Sequence, residues 1–164
     1  MGEGELTESS GLEWSLLDHN GLLTPVLIVQ FGPITAEKVS TDFVGSSVMR
    51  RLSRLHQATT GAVILDAEMI LSTAALPKAV LTGLQETVVP FGQLLIDAGI
   101  SARSVDRQIL RLQPLDGGES RLCRQHRLIN TRSGQELCKV VETLSTLSIL
   151  KAAQKAIDRK EWGQ

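Results

Sequence analysis

The sequence predicts an α+β fold, a single antiparallel β-sheet with helices packed on one face. Three observations lead there. Runs rich in β-branched and apolar residues outnumber the helical patterns. Most of these runs follow one another through short polar turns, "ATTG", "LDGGE" and "TRSG", and short turns join antiparallel neighbours. The helical stretches stand apart from the strand runs, which places helices as a layer on one side of a sheet. A chain of 164 residues suits one domain with a real core. No repeat or linker divides it, so residues 1–11 are expected as a disordered leader and 12–164 as one domain.

The elements follow in order. "LEWSLL" (12–17) is short and apolar, and "DHNG" turns the chain. "LLTPVLIVQFG" reads as a helix with Thr24 as its cap and Pro25 at its first position, where a proline has no donor to lose. Its β-branched Val-Leu-Ile-Val run reads nearly as well as a strand. "ITAEKVSTDFV" through "SSVMRRLSRLHQ" is β-rich and meets "AVILDAEMIL" across "ATTG", the pattern of a hairpin. "LPKAVLTGLQET" has Leu76, Val80, Leu81 and Leu84 at helical spacing, and "PFGQLLIDAG" is a break followed by a short helix that Gly99 closes. "SVDRQILRLQ", "SRLCRQHRLIN" and "QELCKVVETLS" complete the strands, and "SILKAAQKAIDRKEWGQ" is a final helix.

Composition excludes several classes. A net charge of −1 offers no general attraction to nucleic acid or to an anionic membrane. Aromatics at 3%, with no tyrosine, make no stacking platform for single-stranded nucleic acid. No apolar run approaches 18 residues, so no membrane span is expected. The acidic start "MGEGELTESS" is unlike a signal peptide, and a cytoplasmic protein is expected. Cys123 and Cys138 are too few for a disulfide framework and read as reduced cysteines in or near the core. His19, His56 and His126 lack metal-ligand spacing, no GxSxG elbow occurs, and "GEGEL" has no strand before it to make a dinucleotide loop. No cofactor and no metal are expected.

Alternation along strands singles out a few polar residues. In "ELCKVVETL", Glu142 shares a face with Cys138, Val140 and Leu144. A carboxylate there either reaches solvent from an edge strand or lies in a pocket near an arginine, because burying it unpaired is costly. Arg51 lies on the face of Met49 and Leu55, whereas Arg50 and Arg54 lie with Val48 and Leu52. Such a run is either a solvated basic face or places one guanidinium in a cavity, where its planar fork can bind a carboxylate. Arg103, just past Gly99, carries the same ambiguity. Asp66 and Glu68 face away from the apolar set Val63, Leu65, Ala67, Met69 and Leu71 and read as solvated.

Four stretches in order, "HNGLLTPVL", "MRRLSRL", "VPFGQLL" and "ELCKVVETLS", resemble the chorismate pyruvate-lyase family, in its divergent bacterial, cyanobacterial and plastid-type branch. The resemblance spans roughly Leu16 to Ser145. It implies a chorismate lyase-like fold and the elimination of pyruvate from chorismate to give 4-hydroxybenzoate, a quinone precursor, without a cofactor. It also implies site residues. Arg51 would grip the ring carboxylate, and Glu142 would contact the nascent hydroxyl or assist proton transfer. Leu23 and Phe91 would form apolar walls, with Phe91 where a leucine often stands. Gly92 would bring its backbone against the ligand, and Arg103 would sit on a flap over the second carboxylate. The partners would be chorismate and the hydroxybenzoate product, for a monomer or weak dimer. Two other readings stand beside it. The same fold serves as the effector-binding module of bacterial transcription regulators, expected after a winged-helix domain that an 11-residue leader cannot hold. A lyase homologue that makes another hydroxybenzoate, or has lost activity, is the other.

Overall fold

The computed structural model describes residues 11–162 of the chain, with side chains as far as 157. The leader expected over 1–11 lies outside the described residues except for Gly11, which already belongs to helix α1 (11–17). Then follow α2 (Leu23–Phe31), β1 (Ile34–Phe43), β2 (Val48–Gln57) and β3 (Val63–Ser72). After a 3-10 turn at Thr73–Ala75 come α3 (Lys78–Glu86), α4 (Phe91–Asp97), β4 (Ala102–Leu112), β5 (Arg121–Asn130), β6 (Glu136–Leu144) and α5 (Leu147–Trp162). The six strands form one sheet in the order β1-β2-β3-β6-β5-β4, every pair antiparallel. The expected α+β architecture is the observed one.

The ambiguous "LTPVLIVQF" is a helix. Leu23, Leu27 and Phe31, four residues apart, line one buried stripe, which a strand of period two would have split between faces. The helix ends at Gly32, whose φ of 75° favours glycine and whose N–H bonds the Ile28 carbonyl. Its start corrects the expected cap. Leu22, not Thr24, is the N-cap, and Thr24 is inside the first turn with its side chain buried. That frees Thr24 to pack against α4.

Alternation sorts β2 cleanly. Met49, Arg51, Ser53, Leu55 and Gln57 are buried toward the helices, and the residues between them are not. On the opposite face Arg50 pairs with Glu68 at 3.3 Å, and Arg54 with Asp66 at 3.0 Å. Asp66 also takes a bond from Arg121 at 2.8 Å, so these carboxylates are paired as well as partly solvated. Cys123 and Cys138 are buried and unbridged. The apolar interior falls into two clusters. One joins α1, α2 and α5 to the ends of β1, β2 and β3, and the other joins α3 and α4 to Met49, Met69, Leu128 and Val140.

Candidate functional site

A cavity lies where the two clusters meet, between the sheet and the helices. The empty space within it comes to about 540 Å³ with the open solvent at its mouth included. Leu22, Leu23 and Thr24 enter from the start of α2, and Pro90, Phe91 and Gly92 from the start of α4. Most of the remaining wall is apolar, with Ala36, Leu55, Leu65, Met69, Leu84, Leu128 and Val140. Three polar side chains interrupt it, those of Arg51, Ser53 and Glu142.

The break at Pro90-Phe91-Gly92 now has a physical account. Pro90 is the N-cap of α4, extended at ψ 150°, and starts the helix at Phe91. A Cβ on Gly92 would lie 2.6 Å from Oγ1 of Thr24 and 3.1 Å from its Cβ, so only a glycine lets the two helix starts close together over the cavity. Gly92→Ala is therefore expected to lower stability by about 1–3 kcal/mol, the scale of overpacking a tight contact. Thermal melts check it, and adding Thr24→Ala should recover part of the loss.

Arg51 is 2% exposed. Its Nη1 donates to the Leu84 carbonyl at the end of α3 at 2.6 Å, and its buried Nε has no hydrogen-bond partner. Among the described residues no carboxylate lies within salt-bridge distance of it. Burial draws its pKa below the ordinary arginine value, but a guanidinium keeps its charge at neutral pH. The cavity wall thus holds a desolvated cation with unspent donors. Such a group is costly to the empty fold and favours an anion arriving from outside.

Glu142 is in the opposite condition. It is 8% exposed, and its Oε1 accepts from Arg124 Nε at 2.7 Å and from His126 Nε2 at 2.7 Å. Burial pushes its carboxyl up, but the His126 bond and the charge of Arg124 outweigh that, and the net shift is below the usual carboxylate range. Arg124, with no exposed surface, also donates through Nη1 to the His19 carbonyl at 2.9 Å. His126 meets the Ser104 hydroxyl at Nδ1, 2.8 Å away. Glu142 is therefore a fixed, compensated anion, and Arg51 a fixed, uncompensated cation.

The structure places Leu23, Arg51, Phe91, Gly92 and Glu142 on one cavity. Arg103 does not join them. It is exposed on β4, one residue before the buried Ser104, and so points to the far side of the sheet. The expected flap is regular strand, because β4 starts at Ala102, three residues after Gly99. Nor is Glu142 the partner of Arg51, since Arg124 holds it instead. Arg124, His126 and Ser104 escaped the reading of the sequence. For Arg124 and His126 the signal was present in "RLCRQHRLIN", where Leu122, Arg124, His126 and Leu128 alternate onto one buried face.

No family model matches the sequence, and no curated protein matches it. Two solved structures are similar in fold. The C-terminal domain of PhnF matches 72% of this chain and 86% of its own at 13% identity, with a TM-score of 0.50. The possible transcriptional regulator YydK from Bacillus subtilis subsp. subtilis str. 168 matches 68% of this chain at 9% identity, with a TM-score of 0.46, and the match spans 58% of YydK. At 13% identity the likeness to the PhnF domain speaks to the fold alone, the expected α+β one with a single antiparallel sheet.

Proposed function

We propose that the chain is a chorismate pyruvate-lyase whose active site is the cavity between sheet and helices, making 4-hydroxybenzoate for quinone biosynthesis. The observation that carries this reading is Arg51, a buried cation with an unspent Nε on the wall of a largely apolar cavity. That state supports a ligand with a carboxylate on an apolar ring. Chorismate has such a ring and is set up for elimination. The C–H bond beside the ether carbon breaks and its electron pair completes the aromatic ring. The ether C–O bond breaks, and the proton ends on the methylene carbon of the leaving enolpyruvyl group, which becomes pyruvate. No redox step occurs. The protein's task is to hold the reactive conformer and exclude water.

In this reading Arg51 grips the ring carboxylate, while Leu23 and Phe91 sandwich the ring. Glu142 is too well compensated to serve as a base, so it accepts a hydrogen bond from the ring hydroxyl and the substrate carries its own proton. The second carboxylate is left without Arg103. Purified protein mixed with chorismate is expected to release pyruvate and 4-hydroxybenzoate in equal amounts without added metal, followed by chromatography. Turnover lost to a chelator and restored by magnesium would overturn the cofactor-free route, and another hydroxybenzoate isomer would overturn the named reaction. Tight binding of hydroxybenzoate with no turnover would favour the effector-binding reading.

A further inference from the structure

The proposed reaction uses Glu142 but does not explain its surroundings. Two buried cation-capable side chains converge on one oxygen of that carboxylate, and neither lines the cavity. We infer that Arg124 and His126 are the positioning residues of Glu142, clamping Oε1 so that Oε2 alone is left to meet the ligand. The inference deepens the proposed function and rests on the same cavity.

Three features carry it. An ionised carboxylate oxygen only accepts, so His126 Nε2 must bear the proton it shares with Oε1. At its other nitrogen, Nδ1, the ring meets the Ser104 hydroxyl 2.8 Å away, which fixes its plane. Ser104 is itself anchored, its N–H donating to the Asn20 carbonyl at 2.8 Å. Arg124 reaches the same connector through the His19 carbonyl, three residues before Leu22, where the cavity wall begins. The acceptor and the apolar wall are therefore held by one hydrogen-bonded unit spanning β4, β5, β6 and the α1–α2 connector. A buried network with its members satisfied is rigid, and rigidity is what an orienting group requires.

The alternative is that His126 merely fills the core. Two substitutions separate these roles. His126→Gln keeps a nitrogen donor where Nε2 stood, whereas His126→Asn keeps the shape near Nδ1 and Ser104 but withdraws the donor from Glu142. The direct measurement is the titration of the Glu142 carboxyl by carbon NMR in the empty protein, assigned with Glu142→Gln. The charged and titratable groups bearing on it are Arg124 and His126 on β5, His19 on the connector and Arg51 across the cavity, with the Cys123 and Cys138 thiols nearby.

His126→Asn should raise the titration midpoint by about one pH unit, the scale of a lost hydrogen bond to a carboxylate. His126→Gln should leave it close to wild type. If both variants titrate alike, or if the Asn variant leaves the midpoint in place, the positioning role is overturned. Should His126→Asn fail to fold, Ser104→Ala replaces it and should raise the midpoint less, with an unchanged midpoint again overturning the role. Turnover of chorismate is measured alongside, where the Gln variant should keep more of kcat than the Asn variant at similar KM. A wild-type protein inert toward chorismate that still shows the NMR pattern would sink the lyase reading and leave the clamp standing.

Discussion

Arg51→Ala is expected to abolish turnover and hydroxybenzoate binding while leaving the empty protein at least as stable as wild type. In the empty cavity Arg51 has a single hydrogen bond and an orphaned Nε, so its removal breaks little and relieves a desolvated charge. With ligand present the balance reverses. A carboxylate taken out of water with no cation to meet it should lose about 2–5 kcal/mol of binding, the scale of truncating one partner of a buried charged pair. Arg51→Lys should also bind poorly, because an ammonium cannot reproduce the fork and would have to keep the Leu84 carbonyl satisfied as well. Arg54→Ala and Arg103→Ala serve as controls. Both side chains are on the far face of the sheet and should leave binding unchanged. Calorimetric titration with 4-hydroxybenzoate and a thermal melt on each variant decide the matter, and an Arg51→Ala protein that binds like wild type would remove the site's anchor.

Glu142 should behave in the opposite way, through the fold. Glu142→Ala strands Arg124, which has no exposed surface, and removes the acceptor of His126. Breaking one side of a buried ion pair costs about 3–5 kcal/mol, much of the 5–15 kcal/mol that holds a typical domain together. Glu142→Gln keeps an oxygen acceptor but loses the charge, and should fall between Ala and wild type. The pH dependence follows from the depressed carboxyl. Its stabilisation is present in full above the unfolded value near 4.5 and disappears as pH falls through the lower folded value. Denaturant unfolding of wild type and Glu142→Gln between neutral pH and pH 3 should show the wild type losing its advantage only at the acid end. Equal losses at every pH would place the effect elsewhere.

Most of the strand layout was legible, because period-two alternation is a strong signal wherever one face is buried. It put Arg51 on the face of Met49 and Leu55, apart from Arg54, and Glu142 on the face of Cys138, Val140 and Leu144, but residue types alone left open whether those faces meet solvent or a cavity. It failed where the pattern is degenerate. The helix α2 is apolar on nearly every side, with Ile28 and Val29 exposed, so period could not tell it from a buried strand, and only its packing between layers decides. The partner of Glu142 was out of reach for another reason. Arg124 and Glu142 are cross-strand neighbours in the β5–β6 ladder, and register is a property of two strands that neither reveals alone. Arg103 shows the converse, since a glycine break signals that the chain turns but not what begins after it.

The strand order has a consequence for how the protein assembles. Strands β1–β3 form one meander and β4–β6 another, and within the sheet they meet along the β3–β6 ladder, from Leu65 opposite Leu144 to Leu71 opposite Cys138. Arg51 belongs to the first half and Glu142 to the second. Each half can pair its own strands locally, but the seam closes a loop of well over half a hundred residues, a late and entropically costly contact. The two polar poles of the cavity, Arg51 and Glu142, are therefore brought together only when that seam closes.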